Sequence, residues 1–501
     1  MEQAEGRPGL NRREMLAAAG IGAAAFAASA PAMAAGGSQR PILFTHIGIL
    51  IGDRVREDAA LLVVGDRIAA IDGTDALRAA HPDAEIHDGR GKVLLPGLVN
   101  CHAHLSATIA RGFNEDFGFP NSARLKLTPE SLLSPDERRL MVTIGALEAI
   151  RTGTTTLVEN VSGIAPHAEA LAGSGLRMVF AESVRDSENV AGPMAPEGLA
   201  ASVRPIFSQR KREEGMARIE SLHSRWHGAD GGRISVFPAA ALAETSSPEL
   251  LRDVRAFADK HGLSYTIHLS QSVAEVDFMK RWWGMSPPAF LDRAGFLGPR
   301  LFAAHCRYLD DADIALLGRT KTMISHQAGM AANRGVIPPI ARLRAAGAGI
   351  ANGTDNNTND VFSVMRTALL TERISRNDPF PGVLPQPEDM FEDATLGGAT
   401  ALGHRSLTGS IEVGKKADLI VLDTQRAYLV PCGRILSAWI HNGQPSDIVA
   451  SMVDGRFLMR EGRILSLDEP ALIAEADKVG RRIWGQVHAA GPIAIPGRPN
   501  A

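Results

Sequence analysis

The sequence has few cysteines and few aromatic residues, and neither sign of charge dominates. Its 501 residues include three cysteines, Cys101, Cys306 and Cys432, an odd number that gives no disulfide framework and no CxxC pair. We therefore expect three buried free thiols. Phe, Trp and Tyr make up 5% of the chain, so platforms for base stacking are not expected. The net charge of −3 excludes the basic surface of nucleic-acid-binding proteins.

The chain also lacks an apolar segment long enough to span a membrane. Residues 1–37 instead predict a twin-arginine signal peptide, because Arg12 and Arg13 precede the Ala-rich run Leu16–Ala30 and an A-x-A cleavage site follows near Ala34. A basic N-terminus before a membrane anchor is the alternative, but the apolar run is short and rich in alanine. We expect a periplasmic or secreted protein that uses the twin-arginine export machinery and has no membrane anchor.

The mature chain shows two different patterns of apolar residues. Over residues 94–404, apolar runs alternate with amphipathic helical patterns, which is typical of a parallel sheet built from βα units. Residues 38–93 and 405–480 instead show short strands separated by Gly and Asp turns. These flanking pieces predict a small β-sandwich domain closed by both ends of the mature chain. Residues 481–501 are expected to form a C-terminal tail.

Eight strand candidates in the central region predict an α/β fold, a (β/α)8 TIM-like barrel. A doubly wound open sheet is the alternative, but no Gly-rich phosphate turn follows the first strand. The candidates are Val93–Cys101, Thr154–Glu159, Arg177–Glu182, Arg233–Ala239, Ser264–His268, Leu301–His305, Thr322–His326 and Gly347–Thr354.

Residues that commonly bind metals stand at the C-terminal ends of four of these strands, where barrel enzymes form their active sites. The first strand ends in NCHAH, and alternation along a strand turns His102 and His104 to the same side. His268, His305 and Asp355 end the fifth, sixth and eighth strands. Imidazoles with a carboxylate suit Zn²⁺ and also Fe²⁺. One strand-end histidine alone is commonly structural, but the whole set predicts a metal site.

A set of longer motifs runs through nearly all of the mature chain. It comprises LLPGLVNCHAHLSATIARGF, IRTGTTTLVEN, IHLSQSVAEV, AAHCRYLDDADI, NRGVIPPIARLRAAGAGIANGTDNN and GSIEVGKKADLIVLD. This set resembles the amidohydrolase superfamily, and within it the branch of the adenosine, S-adenosylhomocysteine and cytosine deaminases and the triazine hydrolases. The resemblance implies one divalent metal, Zn²⁺ first and Fe²⁺ as the alternative, since the fourth strand offers no lysine for a second ion. It also implies a homo-oligomer.

The resemblance implies a role for each strand-end residue. His102, His104 and His268 would be metal ligands, and Asp355 would be a ligand or the catalytic proton acceptor. His305 would be a ligand or a catalytic group that polarises the substrate. A bound dication lowers the pKa of its water from about 15.7 towards roughly 7–9, so that hydroxide attacks an sp² carbon of a small molecule.

Two positions depart from the deaminase pattern. Gln271 stands where the deaminases have a proton-donating glutamate, and Ala239–Ala241 stand where they have a histidine. Gln271 orients the substrate while Asp355 alone moves protons, or another strand-end acid such as Glu159 or Glu182 supplies the proton, or the leaving group needs little protonation. We favour the first. For both glutamates, a structural pairing with an arginine or a backbone N–H is the alternative.

Several residues near the strand ends are candidates for substrate binding. Core packing is the alternative for His326, and a solvated loop position is the alternative for Arg111. The segment Asp186–Pro205 is a candidate lid, with an ordinary surface loop as the alternative. The substrate-binding candidates are Gln271, His326, Arg111, Asn114, Glu159 and Asn356.

These patterns together predict an exported metal-dependent hydrolase that cleaves a non-peptide carbon–nitrogen bond, or displaces a similar leaving group, in a small-molecule substrate. The alternative among enzymes is an aminohydrolase of a purine, pyrimidine, pterin or triazine. The alternative of another class is a catalytically inactive metal-containing binding protein. An intact set of ligands argues against that last interpretation.

Overall fold

The computed structural model describes residues 40–117, 125–190, 204–356, 358–378 and 384–493. The predicted signal peptide and most of the candidate lid lie outside these ranges. Within them, no helix is both long enough and apolar enough to cross a membrane.

The described ranges contain 17 strands, which form two separate sheets. In chain order the strands are β1 Ile42–Ile51, β2 Arg54–Val64, β3 Arg67–Gly73, β4 Glu85–Asp88, β5 Lys92–Pro96, β6 Leu98–Ala103, β7 Thr154–Val161, β8 Arg177–Val184, β9 Ile234–Leu242, β10 Tyr265–Leu269, β11 Leu301–His305, β12 Met323–His326, β13 Gly349–Asn352, β14 Leu419–Asp423, β15 Ile448–Val453, β16 Arg456–Arg460 and β17 Arg463–Ile464.

The first sheet has nine strands and joins the two ends of the chain. Its order is β17-β16-β15-β14-β5-β1-β2-β3, with β4 paired to β1. The link between the ends is the antiparallel pair β5–β14. Asp454 and Gly455 connect β15 to β16 with φ angles of 47° and 71°, as a type I′ hairpin turn requires. Phe44, Leu61 and Val421 belong to an apolar core within this sheet, which is the small β domain predicted from both ends.

The predicted first barrel strand, Val93–Cys101, is in fact two strands in two sheets. Its first part is β5 of the nine-stranded sheet, and its second part is β6 of the barrel. The break falls at Pro96 and Gly97. Proline lacks the N–H that would continue the ladder, and a Cβ at Gly97 would collide with the side chain of Thr155. The prediction of one continuous strand is therefore wrong.

The second sheet consists of the eight parallel strands β6 to β13 in sequential order. Every residue of β8 is buried, as expected when helices cover the outside and side chains fill the inside. A parallel bridge between Ala103 and Asp355 connects the first and last strands. The architecture is thus the predicted (β/α)8 TIM-like barrel, and Asp355 lies at its closing seam.

Helices cover the barrel and begin at recognisable capping residues. Ser134 and Glu137 form a capping box, and the Ser247 hydroxyl accepts a hydrogen bond from the backbone of Leu250. The longer helices are Pro135–Arg151, Gln209–Trp226, Pro248–His261, Val273–Trp283, Asp311–Arg319, Val361–Arg376, Ile435–Asn442 and Glu469–Ala490; the shorter ones are Thr74–Ala80, Asn114–Phe117, Ala168–Gly173, Ala229–Gly232, Pro287–Arg293, Ala328–Asn333, Ile340–Ala346, Pro387–Glu392 and Gly398–Ala401.

The helix Glu469–Ala490 crosses the boundary that the sequence pattern sets before residue 481. Its buried residues Val479, Ile483 and Val487 recur every four positions and form one apolar face. Val479 and Ile483 pack into a cluster with Leu140 of the helix Pro135–Arg151. Residues 481–490 are therefore helix and not tail.

The cysteines differ in their exposure. Cys101 and Cys306 are buried free thiols, and burial raises the pKa of both. Cys432 is a free thiol as well, but it is exposed. The expectation of three buried thiols is wrong for Cys432, which lies in an irregular segment between β14 and the helix Ile435–Asn442.

Candidate metal centre

Four histidines meet at the C-terminal ends of β6, β10 and β11. The ring centroid of His102 lies 4.8 Å from that of His104, 4.7 Å from that of His268 and 5.6 Å from that of His305. The Nε2 atoms of His104 and His268 are 3.3 Å apart. The barrel thus brings together the histidines that the sequence analysis selected as ligands.

Asp355 reaches the same cluster from the closing seam of the barrel. Its backbone N–H donates to the carbonyl of His102 at 2.9 Å, and the backbone N–H of His104 donates to the carbonyl of Asp355 at 3.2 Å. Its Oδ1 lies 3.5 Å from His104 Nε2, and its Oδ2 lies 3.7 Å from His305 Nε2. Closure of the barrel therefore sets a carboxylate beside the imidazoles.

A hydrogen bond on the far side of the His268 ring defines its tautomer. His268 Nδ1 donates to the carbonyl of Ala241 at 2.8 Å, and His104 is hydrogen-bonded to the backbone of Asn160. Burial lowers the pKa of both imidazoles to about 4, so both are neutral near pH 7. His268 therefore directs the lone pair of its Nε2 towards His104 Nε2, an arrangement that a cation between the rings would stabilise.

Other polar atoms of the cluster have no hydrogen-bond partner among the described residues. They are both ring nitrogens of the fully buried His102 and the Oδ2 of Asp355. A buried polar group left unsatisfied costs roughly 1–3 kcal/mol. Ligand atoms lie within 4.8 Å of one another in two overlapping groups, which are His102, His268 and His305, and His102, His104 and Asp355. This donor set fits a divalent metal ion.

Two polar side chains hold the backbone of the candidate ligands. Asn100 Oδ1 accepts hydrogen bonds from the backbone N–H groups of His102 and Thr354, both at 3.2 Å. Gln327 Oε1 accepts one from the backbone N–H of His305 at 2.8 Å. Neither residue is predicted from the sequence. Their only signal is a polar side chain within a buried strand or just after one.

Strained backbone conformations gather around the cluster. Ser270, His305, Cys306 and Asp355 are not glycines, yet their φ angles are 49°, 76°, 52° and 63°. Such residues cost roughly 1–3 kcal/mol each and concentrate at functional sites. The strand ends are therefore shaped to aim side chains rather than to maximise stability.

The sequence matches a known protein family over the region that contains this cluster. The family model described as "Amidohydrolase family" matches residues 93–458, which include all the candidate ligands. The chain belongs to the amidohydrolase family. A second model, the bacterial imidazolonepropionase-like composite domain, matches residues 59–84 of the small β domain.

Two similar curated proteins are deaminases. This amidohydrolase is 34% identical over 451 residues to the 5′-deoxyadenosine deaminase of Methanothermobacter thermautotrophicus, covering 89% of this chain and 99% of that protein. It is 31% identical over 426 residues to the 5-methylthioadenosine/S-adenosylhomocysteine deaminase of Desulforudis audaxviator, covering 83% of this chain and 93% of that protein.

Similar solved structures contain zinc. An adenosine deaminase from Xanthomonas campestris with bound zinc has a TM-score of 0.78 and 26% identity, covering 89% of this chain and 98% of that one. Atrazine chlorohydrolase from Arthrobacter aurescens complexed with zinc has a TM-score of 0.77 and 20% identity, covering 88% and 100%, which shows a shared fold. The predicted superfamily and branch are confirmed. The protein is a metal-dependent hydrolase that acts on non-peptide carbon–nitrogen bonds.

Gln271 follows β10, in a turn that a buried glutamate holds in place. The backbone N–H groups of Ser270 and Gln271 donate to the two carboxylate oxygens of Glu275 at 2.8 and 2.7 Å. The side chain of Gln271 is nearly buried, and its Nε2 has no described hydrogen-bond partner. Burial raises the pKa of Glu275 to about 7. The amide of Gln271 therefore keeps a free donor.

A second buried acid, Glu244, was not predicted. It lies in the 3₁₀ turn Ala243–Thr245 after β9, is fully buried, and has no described hydrogen-bond partner on either carboxylate oxygen. Burial and the nearby charge of Glu275 raise its pKa well above the usual range. Its signal in the sequence was its position just after the fourth barrel strand.

Glu159 and Glu182, the other strand-end acids, both have backbone partners. Glu159 Oε2 accepts a hydrogen bond from the backbone of Leu105 at 2.9 Å, and burial raises its pKa to about 8. Glu182 Oε2 accepts one from the backbone of Ile164 at 3.0 Å, and its Oε1 pairs with Arg218 at 3.1 Å. Glu182 is thus fully engaged, while Glu159 keeps one oxygen without a described hydrogen bond.

The remaining predicted residues have different surroundings. Asn114 Nδ2 donates to the carbonyl of Asn356 at 3.2 Å, next to Asp355 in the chain. His326 is buried at the end of β12, and burial lowers its pKa to about 3. Arg111 is half-exposed and pairs with Glu148 at 2.5 Å. The structure thus brings Asn114 and Asn356 to the edge of the metal centre but neutralises Arg111 with a partner of its own.

Proposed function

We propose that this amidohydrolase is an aminohydrolase that removes an amino group from the heterocyclic ring of a small molecule, using one zinc ion. The observation that carries the proposal is the set of unsatisfied imidazole and carboxylate atoms at the barrel strand ends. Full-length similarity to deaminases of adenine-containing compounds supports the ring amine as the leaving group.

In this proposal the residues of the cluster have different roles. His102, His104, His268 and Asp355 would hold the metal, which supplies a water molecule of lowered pKa when bound. Asp355 accepts the proton of that water at Oδ2, which has no hydrogen-bond partner among the described residues. His305 is neutral, because burial lowers its pKa well below the usual range, and a neutral imidazole there can hydrogen-bond to the developing anion of the substrate.

The proton for the departing amine comes in this proposal from Asp355, which passes on what it accepted. Gln271 orients the ring through its free amide N–H and moves no proton. Glu244 is the alternative proton source, because it is a buried acid beside the same turn, its carboxylate oxygens have no described hydrogen-bond partner, and burial raises its pKa. Loss of activity in Glu244→Gln, with activity retained in Gln271→Ala, would make Glu244 the proton donor in place of Asp355.

The test begins with a metal assay on the purified protein. Ammonia release is then followed with purines, pyrimidines, pterins and triazines, with amides, ureas and carbamates as a second panel. Ammonia from an aminoheterocycle that a chelator abolishes and zinc restores would support the proposal. Turnover confined to the second panel would leave a broader amidohydrolase. A zinc-loaded protein that turns over no compound would favour the metal-containing binding protein.

We further propose that the chain is exported through the twin-arginine route. The support is the sequence alone, with Arg12 and Arg13 before the Ala-rich run. Replacing both arginines by lysine should retain the protein in the cytoplasm, as cell fractionation and immunoblotting would show. Periplasmic recovery of that variant, or cytoplasmic retention of the native chain, would contradict the proposal.

A further inference from the structure

Two arginines near the metal centre form no ion pair with any of the described residues. Arg307 lies two positions after His305, and Arg334 caps the helix Ala328–Asn333. Both are half-buried. The Nε of Arg307 and the Nη2 of Arg334 have no hydrogen-bond partner in the described part of the chain. A partly desolvated cation without an ion-pair partner costs free energy, which a bound anion would lower.

Arg307 is fixed to the turn that carries Gln271. Its backbone N–H donates to the carbonyl of Ser270 at 3.1 Å, and the backbone N–H of Tyr308 donates to the same oxygen at 3.0 Å. The backbone of Arg307 therefore cannot move independently of that turn. Its guanidinium makes no side-chain hydrogen bond with the described residues and keeps its donors free.

Arg334 is fixed to the closing seam of the barrel. Its Nη1 donates to the carbonyl of Asn114 at 3.0 Å. The amide of Asn114 in turn donates to the carbonyl of Asn356, which follows Asp355 in the chain. The Nη2 of Arg334 is buried and has no hydrogen-bond partner among the described residues.

Among the described carboxylates, Asp355 is the one whose charge acts on both arginines. The positive charge of Arg307 also repels that of Arg334. Asp355 carries one negative charge, and its carboxylate oxygens lie beside His104 and His305 at 3.5 and 3.7 Å. It forms no ion pair with either arginine.

No other acid within the described ranges forms an ion pair with either arginine. Glu275 uses both oxygens on the backbone of the Gln271 turn, and its pKa is raised to about 7. Glu115 favours the charged form of Arg334, but its carboxylate accepts a hydrogen bond from the backbone of Gly112 at 2.8 Å and forms no ion pair with that arginine. Among the internal residues outside the described ranges, only Glu197 carries a carboxylate.

We propose that Arg307 and Arg334 bind an anionic group of the substrate, a carboxylate in the first instance, beside the metal centre. Arginine suits this role because its fork of N–H donors matches a carboxylate or phosphate. The inference rests on the proposed function and narrows its substrate class to anionic compounds. It also explains why position 271 is a glutamine, since a glutamate there would repel an anionic substrate and an amide does not.

The test uses matched pairs of ligands with the zinc-loaded full-length protein. Pterin-6-carboxylate and cytosine-5-carboxylate are compared with their carboxamides by calorimetry, and turnover is followed separately as ammonia release. We expect at least one carboxylate to bind 10-fold or more tightly than its amide. Arg307→Gln and Arg334→Gln should each weaken that carboxylate by about 10- to 100-fold, as expected for hydrogen bonds to a charged group, and leave the carboxamide unchanged.

Several outcomes would overturn the inference. Equal binding of acids and amides across the panel would do so, as would a preference for acids that survives both arginine substitutions. Inorganic phosphate that binds as tightly as the ring carboxylates and depends on the same arginines would indicate a site for free anions instead of a substrate group.

Two further variants serve as controls. Arg111→Gln removes a nearby half-exposed arginine that already pairs with Glu148, and it should leave the preference for carboxylates unchanged. Glu197→Gln should do the same, and a large gain in carboxylate binding there would identify an internal counter-ion and refute the proposal. A preference for carboxylates without ammonia release would uphold this inference and refute the deaminase proposal, whereas release from neutral compounds alone would do the reverse.

Discussion

The described chain holds two clusters of histidines, and they differ in kind. The outer cluster lies near the ends of two helices, where the ring centroid of His223 is 4.5 Å from that of His227 and 4.4 Å from that of His261. These distances are shorter than the 4.7 Å between the centroids of His102 and His268 in the central cluster. Ring proximity alone would therefore favour the wrong cluster as a metal centre.

The direction of the lone pairs separates the two clusters. In the outer cluster the backbone N–H of Val236 donates to His227 Nδ1 at 3.2 Å, so that lone pair is already used. No described carboxylate forms an ion pair with these rings, and His227 and His261 are exposed. In the central cluster His268 uses Nδ1 on a backbone carbonyl and directs Nε2 inward. A metal centre thus depends on burial, a carboxylate and second hydrogen bonds that orient each ring.

The largest expected effect separates the two clusters by substitution. His268→Ala should lose the metal and abolish activity, because it removes an inward lone pair. The matched variant His227→Ala should keep both. Metal content by mass spectrometry and turnover of the best substrate are the measurements. Metal loss in His227→Ala, or full metal content in His268→Ala, would reverse the assignment of the clusters.

The next effect concerns the carboxylate that the outer cluster lacks. Asp355→Asn keeps the shape of the side chain but removes its basicity, and we expect kcat to fall by about 10²- to 10⁴-fold, as for loss of a general acid–base. Steady-state kinetics on the zinc-loaded variant would measure this. A variant that retains activity within a factor of two would remove Asp355 from proton transfer.

A smaller effect is expected from the packing behind the ligands. A Cβ at Gly353 would lie 2.8 Å from His102 Cβ and 2.9 Å from Gln327 Nε2. Gly353→Ala should therefore disturb the ligand geometry and weaken metal affinity by about 10- to 100-fold, as substitutions behind metal ligands do. Competition with a fluorescent chelator would measure the affinity. Gly329→Ala is the control, because its Cβ would meet no atom within 4 Å.

Gln271→Ala should have a modest effect. Loss of one orienting hydrogen bond is expected to lower kcat/KM by about 10-fold, without loss of metal. Kinetics and metal content on the same preparation would test this. A complete loss equal to that of Asp355→Asn would show that Gln271 does more than orient the substrate, and unchanged kinetics would remove it from the site.

The smallest effect is the response of the outer cluster to acid. Burial, with the charges of His227 and His261, lowers the folded-state pKa of His223 from 6.5 to about 4. The unfolded chain then binds protons first as the pH falls, so stability present above pH 6.5 is lost between pH 6.5 and 4. His223→Gln should remove about 1 kcal/mol of this loss, since solvent screens a partly exposed ring. Urea unfolding of zinc-loaded protein at pH 7.5 and 5 would measure it, and an unchanged pH dependence would contradict the prediction.

Short-range patterns were enough to predict most of the fold and the candidate ligands. Apolar runs that alternate with helical patterns predicted the barrel strands, and the histidines at the C-terminal ends of those runs predicted the cluster. Both patterns can be read from residues that are neighbours in the chain. Glu244, Arg307 and Arg334 were not predicted, because a charged residue after a strand or a helix is equally typical of a solvated loop position. Only burial and missing partners, which sequence spacing does not reveal, single them out.

The sequence by itself determined the class of protein, since the NCHAH strand end and the other motifs define an amidohydrolase without coordinates. Tertiary structure alone decided which groups act together. Closure of the barrel joins Asp355 to the strand end of His102 across about half of the chain's length, and burial sets the charge state of each group. These are long-range effects of packing and desolvation, so they arise only when the eight strands close into one barrel.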